Sequence, residues 1–160
     1  MASILNVDQI NNAAGTTALS IDSTGRIFTP ARPAFYAHDT TTSWQSLASS
    51  HEVVMPNTDY NVGSHYSTST GRFTAPVAGL YFFSGKLYVN NSSTASGFYF
   101  TINGTTETKG FYNLQENSAG DTTVTFSEVR ELSSGDYVSL ICYQGEYYKA
   151  HSSFNGYLIG

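Results

Sequence analysis

Four histidines, one cysteine and a scattering of carboxylates are the side chains with which this chain could do chemistry, and their spacing argues against most of it. His38, His51, His65 and His151 sit singly, with no His-x-His pair and no His-Glu-x-x-His phrase. His38-Asp39 and His51-Glu52 are sequence neighbours, and neighbours in a strand point to opposite faces. Asp39, Asp59, Asp121 and Asp136 are isolated from one another in sequence. There is no Gly-x-Ser-x-Gly elbow, no glycine-rich phosphate loop and no Cys-x-x-Cys pair. No catalytic residue, metal ligand or cofactor is therefore assigned, and the chain is expected not to be an enzyme. A metal site would need folded proximity or a three-fold axis; the histidines are otherwise read as surface or turn residues.

The remaining reactive or sticky residues have plain readings. Cys142 lies in Asp136-Tyr-Val-Ser-Leu-Ile-Cys-Tyr143, where Val138, Leu140 and Cys142 share a face by the two-residue strand period. No basic neighbour in sequence lowers its pKa, so it is expected to be a buried small hydrophobe. Trp44, in the polar run Thr40-Thr-Thr-Ser-Trp-Gln-Ser46, would suit a sugar or protein contact if exposed, and is expected to pack under a loop. Asn90, Asn91 and Asn103 stand in Asn-x-Ser/Thr sequons of the kind that a Ser- and Thr-rich chain produces by chance.

Composition narrows the elements that must carry these residues. The 160 residues suffice for one domain and a short appendage. Charged residues are only 12%, about half the usual share, while aromatics reach 14% with 12 Tyr and 10 Phe. A surface solubilised by hydroxyls and amides suggests an extracellular or virion-type β protein. The net charge of −5 leaves no basic footprint for nucleic acid or anionic lipid. No stretch is apolar enough to insert in a membrane, and the opening Met-Ala-Ser-Ile-Leu-Asn lacks the basic start of a signal peptide.

Two regions differ in texture. Residues 1–31 are small, polar and turn-rich, with Ile4, Leu5, Val7 and Ile10 as their first aliphatic cluster. Asp22-Ser-Thr-Gly25 reads as a turn between Leu19-Ser-Ile21 and Arg26-Ile-Phe28. With few large apolar side chains, this segment is expected to be disordered alone or ordered against a partner. Thr29-Pro-Ala-Arg-Pro33 is a stiff boundary. Residues 32–160 are strand-like almost throughout. Tyr81, Phe83, Leu87 and Val89 share one face, Phe98, Phe100 and Ile102 another, and Asn103-Gly104 is a strong hairpin turn. No apolar stripe at helical spacing persists over three turns, and strands punctuated by regular turn signals make the fold class all-β, a sandwich or barrel.

Asn61-(four residues)-Tyr66-(six)-Phe73-(five)-Gly79-Leu-Tyr81-Phe-Phe83 resembles the C1q-domain signature. Arg32-Pro-Ala-Phe-Tyr-Ala37 is similar to that family's opening strand, Leu132-Ser-Ser-Gly-Asp-Tyr-Val-Ser-Leu140 to its late Gly-Asp turn, and Ser153-Phe-Asn-Gly-Tyr-Leu-Ile159 to its closing strand. Met55 stands where Phe usually opens the signature, and Gly85 where an aromatic is common; Gly85 suggests a close approach by a neighbour. The resemblance implies a C1q/TNF-like jelly-roll sandwich of about ten strands preceded by an extended arm, associating as a homotrimer. The family's calcium sites do not carry over, for want of a matching acidic cluster.

The phrase Ile4-Leu-Asn-Val-Asp-Gln-Ile10, followed by Ala14 to Arg26, resembles attachment segments of tailed-bacteriophage fibres and appendages. That resemblance implies a virion structural protein: a trimeric knob anchored to another virion protein through Ile4, Leu5, Val7 and Ile10. A host cell-surface glycan or protein would be its receptor, and the virion its location. The alternative is a cellular or secreted C1q-like ligand-binding module.

Overall fold

The computed structural model describes residues 6–46, 51–90, 96–114 and 120–160, and Ile4 and Leu5 fall outside them. The chain divides into two compact units, Met1–Arg32 and Pro33–Gly160.

In the first unit, β1 (Gln9–Asn11), β2 (Thr17–Ile21) and β3 (Ile27–Phe28) form an antiparallel three-stranded meander. The β2–β3 turn is set by Asp22. Its carboxylate accepts from the Thr24 and Arg26 amides at 2.8 and 3.0 Å and from Arg26 Nε at 2.7 Å. These bonds, the Arg26 amide foremost, hold the Asp22 carboxyl down at about 2. The expected lack of a core is visible, since no described residue of 6–32 is buried. The segment nonetheless satisfies its backbone through ladder pairing rather than remaining extended.

The second unit begins with β4 (Ala34–His38), β5 (Trp44–Ser46), β6 (His51–Glu52), β7 (Asn57–Val62), β8 (Tyr66–Ser67) and β9 (Arg72–Thr74). It continues with β10 (Gly79–Asn90), β11 (Ser96–Ile102), β12 (Thr105–Leu114), β13 (Asp121–Leu132), β14 (Tyr137–Gln144) and β15 (Glu146–Leu158). These form two six-stranded sheets. One has the order β13-β10-β15-β4-β7, with β5 also on β15; the other has β12-β11-β14-β9-β8, with β6 also on β14. The fold is an all-β jelly-roll sandwich, and several strands of two or three residues bring its strand number to twelve.

Alternation decides which side chains enter the space between the sheets. Along β10, Tyr81, Phe83, Leu87 and Val89 are buried, and β11 answers with Phe98 and Phe100. Phe83 meets Phe100 across the sandwich at 5.2 Å between ring centres, and Phe35 of β4 stacks on Phe73 of β9 at 5.0 Å. Offset and edge-on ring pairs of this kind add to simple area burial. Cys142 is buried in the same core, as its strand period implies.

Two turns fix register at one end. Asn103 and Gly104 have φ of 52° and 74°, the paired left-handed geometry that matches a two-residue hairpin to strand twist. The Asn103 amide also donates to Asp136 Oδ1 at 2.8 Å and accepts from the Tyr137 amide at 3.0 Å. The bond from Asn103 Nδ2, with one from the Ser133 amide, lowers the Asp136 pKa. Thus the β11–β12 turn is tied to the β13–β14 turn.

Candidate functional site

The signature residues converge on one end of the core. Asn61 brackets the backbone of Tyr66: its Nδ2 donates to Tyr66 O at 2.8 Å, and its Oδ1 accepts from the Tyr66 amide at 3.0 Å. Tyr66 stacks on Phe35 at 4.8 Å and accepts the Met55 amide at 3.2 Å; burial pushes its hydroxyl up to about 12. Met55 is fully buried, so the thioether fills the place of the usual aromatic. Phe73 sits 5.7 Å from both Tyr81 and Phe83, and Tyr81 donates to the carbonyl of Val77 at 2.8 Å. Gly79 pairs with Leu132 at the start of β10. Gly85 is the close approach its departure from the family pattern suggested: an added Cβ would lie 2.6 Å from both Phe126 Cε1 and Ser153 O.

These residues build the core, and each sheet turns its other face outward. On the β8–β12 sheet, a chain of polar bonds crosses the outward face among the described residues. Glu52 Oε1 accepts from Arg72 Nε at 2.7 Å and from Ser139 Oγ at 3.2 Å, and Ser139 meets Thr101 Oγ1 at 2.9 Å. The Arg72 guanidinium lies 4.4 Å from the centre of the Tyr137 ring.

The other sheet presents something different. Val62, Ala34, Tyr157, Phe82 and Val129 are successive register partners across β7, β4, β15, β10 and β13, forming one outward row. Val129 and Tyr157 are 49% and 42% exposed, and Phe82 and Tyr157 touch at 5.4 Å between ring centres. Leu80, Ile159 and Tyr60 extend the belt and are also exposed. Beyond it the face turns polar, with Ser84 donating to Asn155 at 3.0 Å and His38 Nε2 lying 3.1 Å from Asp59 Oδ1. At the far end Trp44 stacks on Tyr88 at 5.9 Å and meets Tyr148 edge-on at 5.3 Å, with His151 5.3 Å from Tyr88. Trp44 therefore lies in a strand, half-buried among rings, rather than beneath a loop.

Sequence spacing did not reveal the His38–Asp59 pair, because its members are joined only by β4–β7 pairing. It also missed Arg130, whose Nη1 binds Glu128 at 2.6 Å while its Nε and Nη2 are buried with no hydrogen-bond partner among the described residues. No group of three or more His, Cys, Asp or Glu is gathered for a metal among the described residues.

The C1q domain family model matches residues 34–159. The chain belongs to the C1q domain family. Complement C1q tumor necrosis factor-related protein 3 of Mus musculus and that of Homo sapiens are each 29% identical to it over 110 residues, 67% of this chain. The chain spans 44% of the length of these relatives. Among solved structures, the globular domain of zebrafish complement 1qA superposes with a TM-score of 0.64 at 19% identity, covering 81% of this chain and 98% of that one. Eiger TNF from S. frugiperda does so with 0.64 at 14% identity, covering 81% and 93%. These likenesses show the shared fold.

The relatives correct the expectation of a bacteriophage virion protein. They are mammalian C1q/TNF-related proteins, so the virion function and the virion location are set aside. The composition of the N-terminal phrase specifies strands and turns, not an owner. Val7 is half-buried and Ile10 is 46% exposed in that meander.

Proposed function

We propose that this C1q-family chain is a cellular or secreted, non-enzymatic ligand-binding module that works as a homotrimer. One observation carries the reading: the uncovered belt Val62–Ala34–Tyr157–Phe82–Val129, continued by Leu80 and Ile159. Half-exposed aromatic and aliphatic side chains aligned across five strands are costly to leave in water, and such contiguous patches mark association surfaces. Self-association through the belt leaves the loops of each copy for ligand. The relatives' names support a C1q/TNF-type role.

Light scattering on the purified chain tests this. The expected mass is three times the 17.4 kDa of one chain, and Phe82→Glu, at a half-exposed position, should yield a folded monomer. A monomeric wild-type chain at micromolar concentration rejects the reading.

A further inference from the structure

The N-terminal meander carries an apolar face that its own unit leaves uncovered. Ile10 is the register partner of Leu19, and Ile21 of Ile27. Leu19 and Ile21 are two apart in one strand, so all four project from the same side. Gln9, Ser20 and Phe28, partnered in the alternate register, take the other side. Ile10 and Ile27 are 46% and 64% exposed. Strands this short need a packed hydrophobic face to be stable, and this unit supplies the face without the packing.

We propose that two further copies of the same segment cover it, so that three meanders bring their Ile10, Leu19, Ile21 and Ile27 faces together in the trimer. This inference rests on the trimeric reading above. Three observations support this docking, and the first of them favours a second copy over a foreign partner. First, β3 ends at Phe28 and the folded domain begins at Pro33, with the intervening Arg32 amide bonded to Thr29 O at 3.0 Å. A tether that short puts the three segments of a trimer at effective concentrations of millimolar order. Second, all four face residues are aliphatic, so the surface is self-complementary and a partner need supply no matching charge. Third, the Asp22 turn shapes the hairpin before any association, with Arg26 paired to Asp22 at 2.7 Å, and a pre-shaped element loses less entropy on docking.

The test places single cysteines in the full chain: Leu19→Cys on the proposed inner side and Ser20→Cys on the outer. Cys142 is buried, and the unaltered chain serves as the blank. With a short bismaleimide, Leu19→Cys should form covalent dimers at least tenfold faster than Ser20→Cys. Independently, Ile21→Asp should cut hydrogen-exchange protection of the β2–β3 amides at least tenfold while the domain strands keep theirs and light scattering still reports a trimer. A trimer in which the two cysteines cross-link equally or not at all, or in which Ile21→Asp changes nothing, overturns this inference and spares the trimeric reading. A monomeric chain overturns both.

Discussion

The two outward faces of the sandwich belong to different sheets built by the same side-chain alternation, yet among the described residues only one is tied together by a chain of polar side-chain bonds. On the β8–β12 sheet, Arg72, Glu52, Ser139 and Thr101 bond in a chain, and Thr101 and Ser139 are buried although they point away from the core. On the other sheet, Phe82, Tyr157 and Val129 sit side by side, Phe82 half-buried and the other two exposed. Polar groups can satisfy one another within a monomer, whereas an apolar row gains only by excluding water, which requires another surface. The difference separates a face whose polar groups bond to one another from an exposed apolar face, the one we propose for self-association.

Four experiments can break or sharpen this contrast. The largest effect belongs to the core beneath both faces. Phe83→Ala removes a fully buried ring touching Phe73, Phe100 and Phe154, and should cost about 3–5 kcal/mol in denaturant unfolding. A loss below about 1 kcal/mol would mean that the assignment of faces is inverted. Next, Val129→Asp on the apolar face should weaken self-association by about 2 kcal/mol or more, roughly thirtyfold, while barely moving unfolding of the dissociated chain. Equal association of variant and wild type in sedimentation would remove the belt from the interface.

Glu52→Gln on the polar face should show the opposite signature, with stability falling by about 1 kcal/mol and oligomeric state untouched, because the Glu52–Arg72 pair is partly exposed. Loss of the oligomer in that variant would erase the distinction between the faces. The smallest effect concerns the N-terminal hairpin. Asp22 drops from 3.8 to about 2 on folding, so its contribution is complete above about pH 4 and is lost as pH falls through about 2. The protection factors of the β2–β3 amides, taken relative to intrinsic exchange at each pH, should therefore fall across that window and stay flat above it; a fall already at pH 6 would assign the turn's order to another group.

Much of the sandwich was legible beforehand because its rules are local. The two-residue period placed Tyr81, Phe83, Leu87 and Val89 inward, and the Asn103-Gly104 and Asp22-to-Gly25 turns required only their own dihedral preferences and side-chain bonds. The spacing of Asn61, Tyr66, Phe73 and Gly79 was readable as a family pattern, but not its cause, the two hydrogen bonds by which Asn61 holds the Tyr66 backbone. The N-terminal phrase showed its turns and its shortage of core, and its composition could not name its owner.

Which residue stands beside which across the sheets was settled by tertiary structure. Val62, Ala34, Tyr157, Phe82 and Val129 are far apart in the chain and become one row only through the strand order β7-β4-β15-β10-β13 and its register. The same pairing brings His38 to Asp59 and Trp44 to Tyr148. Alternation along a strand follows from backbone geometry and is written in each short stretch of sequence. Strand order and register depend on the joint burial of many distant side chains, and no local pattern contains that information.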